Sequence, residues 1–223
     1  MAEQVRKDIR MVGEVSSAGG YYRHVRLTGE ATFSGDVDCV KLTQVGELEI
    51  GGGLKAGELK ITGECDVRGR IDAGAVSGRG NLTTKAGMRA DRLKFTGNVE
   101  TAGDCEAGAF TLEGVFAVSG LLSADSIDIR MFGPCSAREI GGSKVIARKS
   151  RTKKLLGLIK ADGNCILNAE QIEGDYVELE HTEAAVVSGN RVEIGQGCRI
   201  GRVEYRSELD IHKSAIVNEV VQR

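Results

Sequence analysis

The sequence predicts an all-β fold, a three-sided parallel β-helix of about 11–12 coils. Three observations predict it: a seventeen-residue repeat, strand-like alternation inside each repeat, and abundant glycine with almost no proline. Gly29, Gly46, Gly63, Gly80, Gly97 and Gly114 recur at that constant step. Gly35, Gly52, Gly69, Gly103 and Gly120 keep the same period, with Ala86 in the fourth place. Apolar columns lock to that register: Val25, Leu42, Leu59, Val76, Leu93, Phe110 and Ile127 form one, and Val37, Leu54, Ile71, Met88, Cys105 and Leu122 another. A third holds Cys39, Ala56, Ala73, Ala90, Ala107 and Ala124, and marks the side with least room.

With Val25 as position 1, apolar residues fall in pairs at positions 1 and 3, 7 and 9, and 13 and 15, each pair split by one mostly polar residue. That is the period-2 pattern of short strands with two inward side chains each. Glycine at positions 5 and 11, and Gly or Asp at 16, suit three corners, since such turns often need φ > 0. A helix, with its 3.6-residue period, cannot hold six glycines in one column.

The elements follow in order. Residues 1–24 form an N-terminal segment and an irregular first coil, in which Ile9, Met11, Gly13 and Val15 fit the pattern one coil before Val25. Residues 25–147 carry the regular repeat. Residues 148–166 break it and are expected to form an exposed basic loop. Residues 167–211 resume as tighter, fifteen-residue coils, with inward pairs from Leu167/Ala169 to Val203/Tyr205. Residues 212–223 form a tail or cap, where the spacing of Ile216 and Val220 permits a short helical turn.

Composition excludes several function classes. Thirty Lys and Arg against 32 Asp and Glu leave a net charge of −2, without the basic excess of a nucleic-acid binder. The N-terminus MAEQVRKDIRMV has no apolar core of a signal peptide, and no apolar run is long enough to span a bilayer. The six cysteines, at 39, 65, 105, 135, 165 and 198, contain no CxxC pair, so reduced core thiols of a cytosolic protein are expected rather than a metal or redox site. His24, His181 and His212 share no motif with a nucleophile or a metal ligand and are expected at solvated corners. No phosphate loop is visible. No catalytic, cofactor-binding or metal residues are therefore assigned.

Three features remain. VEIGQGCRIG, residues 192–201, resembles the hexapeptide repeats of left-handed β-helix acyltransferases, which keeps an enzyme reading open as the alternative. Arg148, Lys149, Arg151, Lys153 and Lys154 form a basic run, either a solvated loop or a contact for an anionic partner such as a membrane surface. Outward positions 6 and 8 collect acids (Glu30, Glu47, Glu49, Glu64, Asp66, Glu100), whereas positions 2 and 4 collect Arg26, Lys60, Arg79 and Lys94.

The repeats LKITGECDVRGRIDAGAV, LKFTGNVETAGDCEAGAF and FTLEGVFAVSGLLSADSI resemble the bactofilins, bacterial polymer-forming cytoskeletal proteins. The similarity covers residues 25 to 130 and extends to about 211. The resemblance implies a right-handed β-helix and a non-enzymatic protein that polymerises end to end without nucleotide, serving cell shape, the envelope or appendages. It implies self as the partner, together with the inner membrane surface or envelope and appendage proteins, and a cytoplasmic or membrane-associated location. The sequence places candidate polymerisation ends at Ile9, Met11 and Val15, and at Leu209, Ile211, Ile216 and Val220. Each apolar end can act as its own lid or as a docking face, and a non-polymerising scaffold that binds a protein partner is the remaining alternative.

Overall fold

A computed structural model describes residues 6–150 and 165–223. The described residues are strands and turns throughout, and they divide into two compact units, Met1–Gly103 and Asp104–Arg223. In the first unit β1 (Lys7–Ser17), β2 (Gly20–Phe33), β3 (Val37–Ile50), β4 (Leu54–Val67), β5 (Ile71–Thr84) and β6 (Met88–Thr101) pair in parallel, each with the next. From β2 onward the partners keep the seventeen-residue step: Val25, Leu42, Leu59, Val76 and Leu93 lie side by side. This is the β-solenoid that the repeat requires.

Each strand supplies three inward pairs. In β3 these are Val37 and Cys39, Leu42 and Gln44, and Leu48 and Ile50, all buried. The same positions are buried in β4 and β6, and in β5 all but Ala73 and Gly78 are, so a core of like residues runs through the unit. Two columns carry polar exceptions. Thr84 and Thr101 are buried at position 9, where each hydroxyl donates to a corner carbonyl, of Gly69 and of Ala86, at 2.6 Å. Gln44 is buried between Leu27 and Ile61. Its Nε2 donates to the carbonyl of Gly46 and, at 2.9 Å, to that of Glu64.

The two glycine columns exist for different reasons. Gly46 and Gly63 have φ of 120° and 119°, and a Cβ on either would collide with the carbonyl oxygen of the glycine one coil before. At this corner one glycine therefore requires the next. At the other corner Asp36 Oδ1 accepts the amide of Gly53 at 2.7 Å and fills the space that a Cβ on Gly52 would need.

The second unit contains β7 (Cys105–Lys149), β8 (Leu167–Leu179), β9 (Thr182–Ile194), β10 (Arg199–Ile211) and β11 (Ile216–Gln222). β8 pairs with the last part of β7, Val145 opposite Val177, and β9, β10 and β11 follow in order. The expected tightening appears between β8 and β9, where Leu167 pairs with Thr182. It does not persist. From β9 to β10 the step is sixteen at Ala184 and Ile200, and a register shift between Tyr205 and Glu208 sets Val192 opposite Leu209; β10 and β11 keep seventeen, Val203 opposite Val220.

Three expected boundaries are corrected. The 24/25 boundary falls inside β2, although the first coil is irregular as expected: the register shifts between Lys7 and Ile9, and Ile9, Met11, Gly13 and Val15 pair with Val25, Leu27, Gly29 and Ala31. The break at 148 comes too early, because Arg148 and Lys149 still belong to β7. Ile216 and Val220 do not share a helical turn; after a turn at His212–Ala215 they belong to β11, hydrogen-bonded to β10.

Candidate functional site

The first and last strands position the candidate polymerisation residues. β1 pairs with β2 and β11 pairs with β10, and the opposite edge of each has no strand partner among the described residues. A strand edge of this kind presents a row of free N–H and C=O groups, a template for another strand.

The two ends differ in apolar exposure. At the N-terminal end Met11 is buried and Ile9 and Val15 are partly covered. At the C-terminal end β11 is only 7 residues long and covers β10 from Arg199 to Tyr205. Leu209 and Ile211, later in β10, have no residue of β11 opposite them, and Ile211 is 37% exposed. Val220 lies over buried Val203 and is 47% exposed. Ile216 behaves differently from the other six: it pairs with outward Arg199, so it belongs to the outer surface and not to the core end. Val217, over buried Ile200, takes the inward place instead. One full repeat step from Ile200 and Val203 lands on Val217 and Val220, which is the signal that selects them.

The basic run does not behave as one loop. Arg148 makes two hydrogen bonds of 2.5 Å to the Glu178 carboxylate, whose other neighbour is the Tyr176 hydroxyl at 3.1 Å. The Arg148 guanidinium, outweighing the upward push of burial, holds the Glu178 carboxyl below its ordinary range. Tyr176 itself is stacked between Lys144 and Arg191, with the two cations 5.8 and 5.7 Å from the ring centre. The Lys149 amide donates to Glu180 at 3.3 Å. Arg151, Lys153 and Lys154 lie outside the described residues.

The hexapeptide-like stretch forms the end of β9, a turn and the start of β10. Its thiol, Cys198, is buried and points at the Leu179 carbonyl, 3.4 Å away. Burial pushes it up to about 11, the opposite of what a thiolate nucleophile needs. All six cysteines are free and buried. His24 and His212 are exposed, on β2 and in the turn before β11; His181 sits partly exposed at the corner after β8, with φ of 48°. Among the described residues no group of three or more His, Cys, Asp or Glu is placed to hold a metal ion, and no helix is long and apolar enough to cross a membrane.

On the outer surface the acids of β2 to β4 do stack: Glu30, Glu47 and Glu64 are register partners, as are Glu49 and Asp66. A further column escapes a reading by motif, although its signal is present in the repeat. Position 14 holds Asp38, Lys55, Asp72, Arg89 and Glu106 in successive repeats, and the first four are register partners from β3 to β6.

Comparison with known proteins gives relatives without a described role. The chain is similar to the uncharacterized protein YhbE of Bacillus subtilis (strain 168), 42% identical over 103 residues, which is 45% of this chain and 42% of that protein. It is also similar to the uncharacterized protein YhbF of the same organism, 40% identical over 96 residues, 42% of this chain and 38% of that protein. The chain thus matches about two fifths of the length of these curated relatives. No protein-family model matches it, and no solved structure does.

Proposed function

We propose that the chain is a non-enzymatic structural protein of the bactofilin type, which assembles end to end into nucleotide-independent polymers or scaffolds. The observation that carries this reading is the solenoid itself: β2 to β6 stack in parallel at a constant seventeen-residue step, each inward residue lying against its equivalent in the next coil. Each coil of such a stack is completed by the next, through strand hydrogen bonds and apolar burial. For the last coil, the next is supplied by a second copy. Self is therefore the principal partner, in the cytoplasm or at the inner membrane surface, and the cellular roles that fit are cell shape and the assembly of envelope or appendages.

Sedimentation and negative-stain microscopy of the purified chain test this. Wild type should form assemblies of many copies, and Ile211→Lys should shorten them while β-rich circular dichroism is kept. Ile9→Lys probes the opposite end, and a smaller effect is expected there because Ile9 is partly covered. A wild type that sediments as a single copy at high concentration and low salt, unchanged by either substitution, removes the polymer reading and leaves a scaffold that binds other proteins.

A further inference from the structure

The outward side chains at positions 2 and 4 make one face of the first unit, and its charge is one-sided. From β1 to β6 position 2 holds Arg10, Arg26, Lys60 and Lys94, with Thr43 and Ser77 between them, and position 4 holds Arg79 among threonines and valines. Neither column holds an acid in these strands, although the whole chain carries a net charge of −2. Arg10, Arg26, Arg79 and Lys94 are exposed and make no ion pair with any described residue; Lys60 shares Glu58 with Lys41. Arg10 and Arg26 are direct register partners, so two unanswered guanidinium groups stand on adjacent strands, which destabilises the isolated molecule. With His24, Lys41 and Thr43 they line a hollow of about 430 Å³. Its one acid, Asp8, is already held by Arg23 at 2.7 Å and by His24 at 3.1 Å. Two valines stand on the same face: Val12 is 66% exposed and Val45 48%.

We propose that this face docks on a bilayer surface bearing anionic phospholipids, with a lipid phosphate seated between Arg10 and Arg26. The proposal rests on the membrane-surface location in the reading above, and not on polymerisation. A guanidinium fork matches phosphate oxygens, and an anion between the two arginines removes their mutual repulsion. The cations extend from β1 to β6, about 24 Å at ~4.8 Å per strand, so the face meets several headgroups at once. Charge alone would suit any polyanion, and the valines select among them. The interfacial layer of a bilayer covers Val12 and Val45, whereas a soluble polyanion leaves them in water. Neither column holds an aromatic residue on which a nucleic-acid base could stack. The acids at positions 6 and 8 of a second copy would answer the cations but set carboxylates against the valines.

Each basic residue near an anionic surface adds roughly fivefold in affinity. One molecule therefore binds reversibly and in a salt-sensitive way. Binding becomes avid when several such faces are joined in one polymer.

The test is flotation of the purified chain with vesicles of phosphatidylcholine, alone or mixed with phosphatidylglycerol, because bound protein rises and free polymers sediment. Wild type should float only with the anionic vesicles and should be released by about 0.5 M sodium chloride. Arg10→Glu with Arg26→Glu should weaken binding by about tenfold or more, with β-rich circular dichroism kept. Arg79→Glu with Lys94→Glu, at the other end of the face, should also weaken it. Lys55→Glu with Lys85→Glu makes the same change of net charge at exposed positions off this face and should float like wild type. Val12→Ser with Val45→Ser should weaken flotation at constant charge. No flotation with anionic vesicles, equal flotation with phosphatidylcholine alone, or an equal loss in the Lys55 and Lys85 variant each overturns the proposal. So does retention of duplex DNA in place of vesicles, or charge variants that alter sedimentation without lipid and leave flotation unchanged, which would assign the face to a second copy. Sedimentation without vesicles reads polymerisation by itself: lost polymers with flotation intact count against the polymer reading alone, and lost flotation with polymers intact against the docking alone.

Discussion

Gly63 shows how much one residue of the repeat is constrained. Its φ is 119°, and the space for a Cβ is occupied by the Gly46 carbonyl oxygen. Gly63→Ala combines a left-handed backbone with a collision against main chain, and should cost about 2–3 kcal/mol or more, read as a lower melting temperature. Gly141 is the internal control, with no such φ and nothing within 4 Å of where an added methyl would sit. Gly141→Ala should change stability by less than about 0.5 kcal/mol. The thiols obey a related constraint from solvation. Burial first, and Asp66 or Glu106 second, pushes Cys65 and Cys105 up to about 12. In the unfolded chain these thiols ionise near 9.0, so they favour folding below that value. The benefit declines as pH rises from about 9 toward 12, which predicts alkaline destabilisation that Cys65→Ala lessens. Neither thiol should react with a bulky maleimide at neutral pH without denaturant; rapid labelling would mean that the inward phase is wrong.

Strands and their register are what the sequence made most legible. A seventeen-residue period with inward pairs at six positions predicted the partners in β2 to β6, because a solenoid stacks each residue on its equivalent and an error of one residue would turn the core outward. Leu93, buried in β6 beside Val76, tests that packing: Leu93→Asp places a charge without a partner in the core and should destabilise by several kcal/mol. Legibility fell where the step changed. Ile216 looks equivalent to Val220 because both are apolar, but the turn at His212–Ala215 sets the phase and sends Ile216 outward. Arg148 looks like loop because five basic residues crowd together, whereas its partner Glu178 lies on a different strand, far along the chain. That pair has a pH signature. The folded-state value of Glu178 lies below its ordinary 4.5, so the pair adds stability above that pH and loses it as pH falls through the lowered value. Arg148→Gln should therefore lower stability at neutral pH, by about 0.5–1 kcal/mol for a half-exposed pair, and make no difference at pH values acidic enough to protonate the carboxylate.

Assembly and docking of whole molecules would draw on two kinds of contact with opposite responses to salt. Leu209, Ile211 and Val220 are apolar and partly or well exposed, and no strand among the described residues pairs with the outer edge of β11. Neither apolar burial nor backbone hydrogen bonding is weakened by simple salt at moderate concentration. The face from Arg10 to Lys94 is ionic, with Arg10, Arg26, Lys60, Arg79 and Lys94 all exposed. Its contribution falls as the screening length shortens from about 10 Å at 0.1 M to about 3 Å at 1 M. Raising the salt should therefore separate the two contacts without mutation. At low ionic strength end-to-end polymers should lie on anionic vesicles and float with them, because many weak faces act at once. At about 0.5 M sodium chloride they should leave the vesicles as polymers of unchanged length and sediment. Arg10→Glu with Arg26→Glu should behave at low salt as wild type does at high salt, and Ile211→Lys should float as shorter assemblies. If salt shortens the polymers while leaving them on the vesicles, the basic face is the axial contact and the apolar residues of the last coil are not, and both assignments must be exchanged.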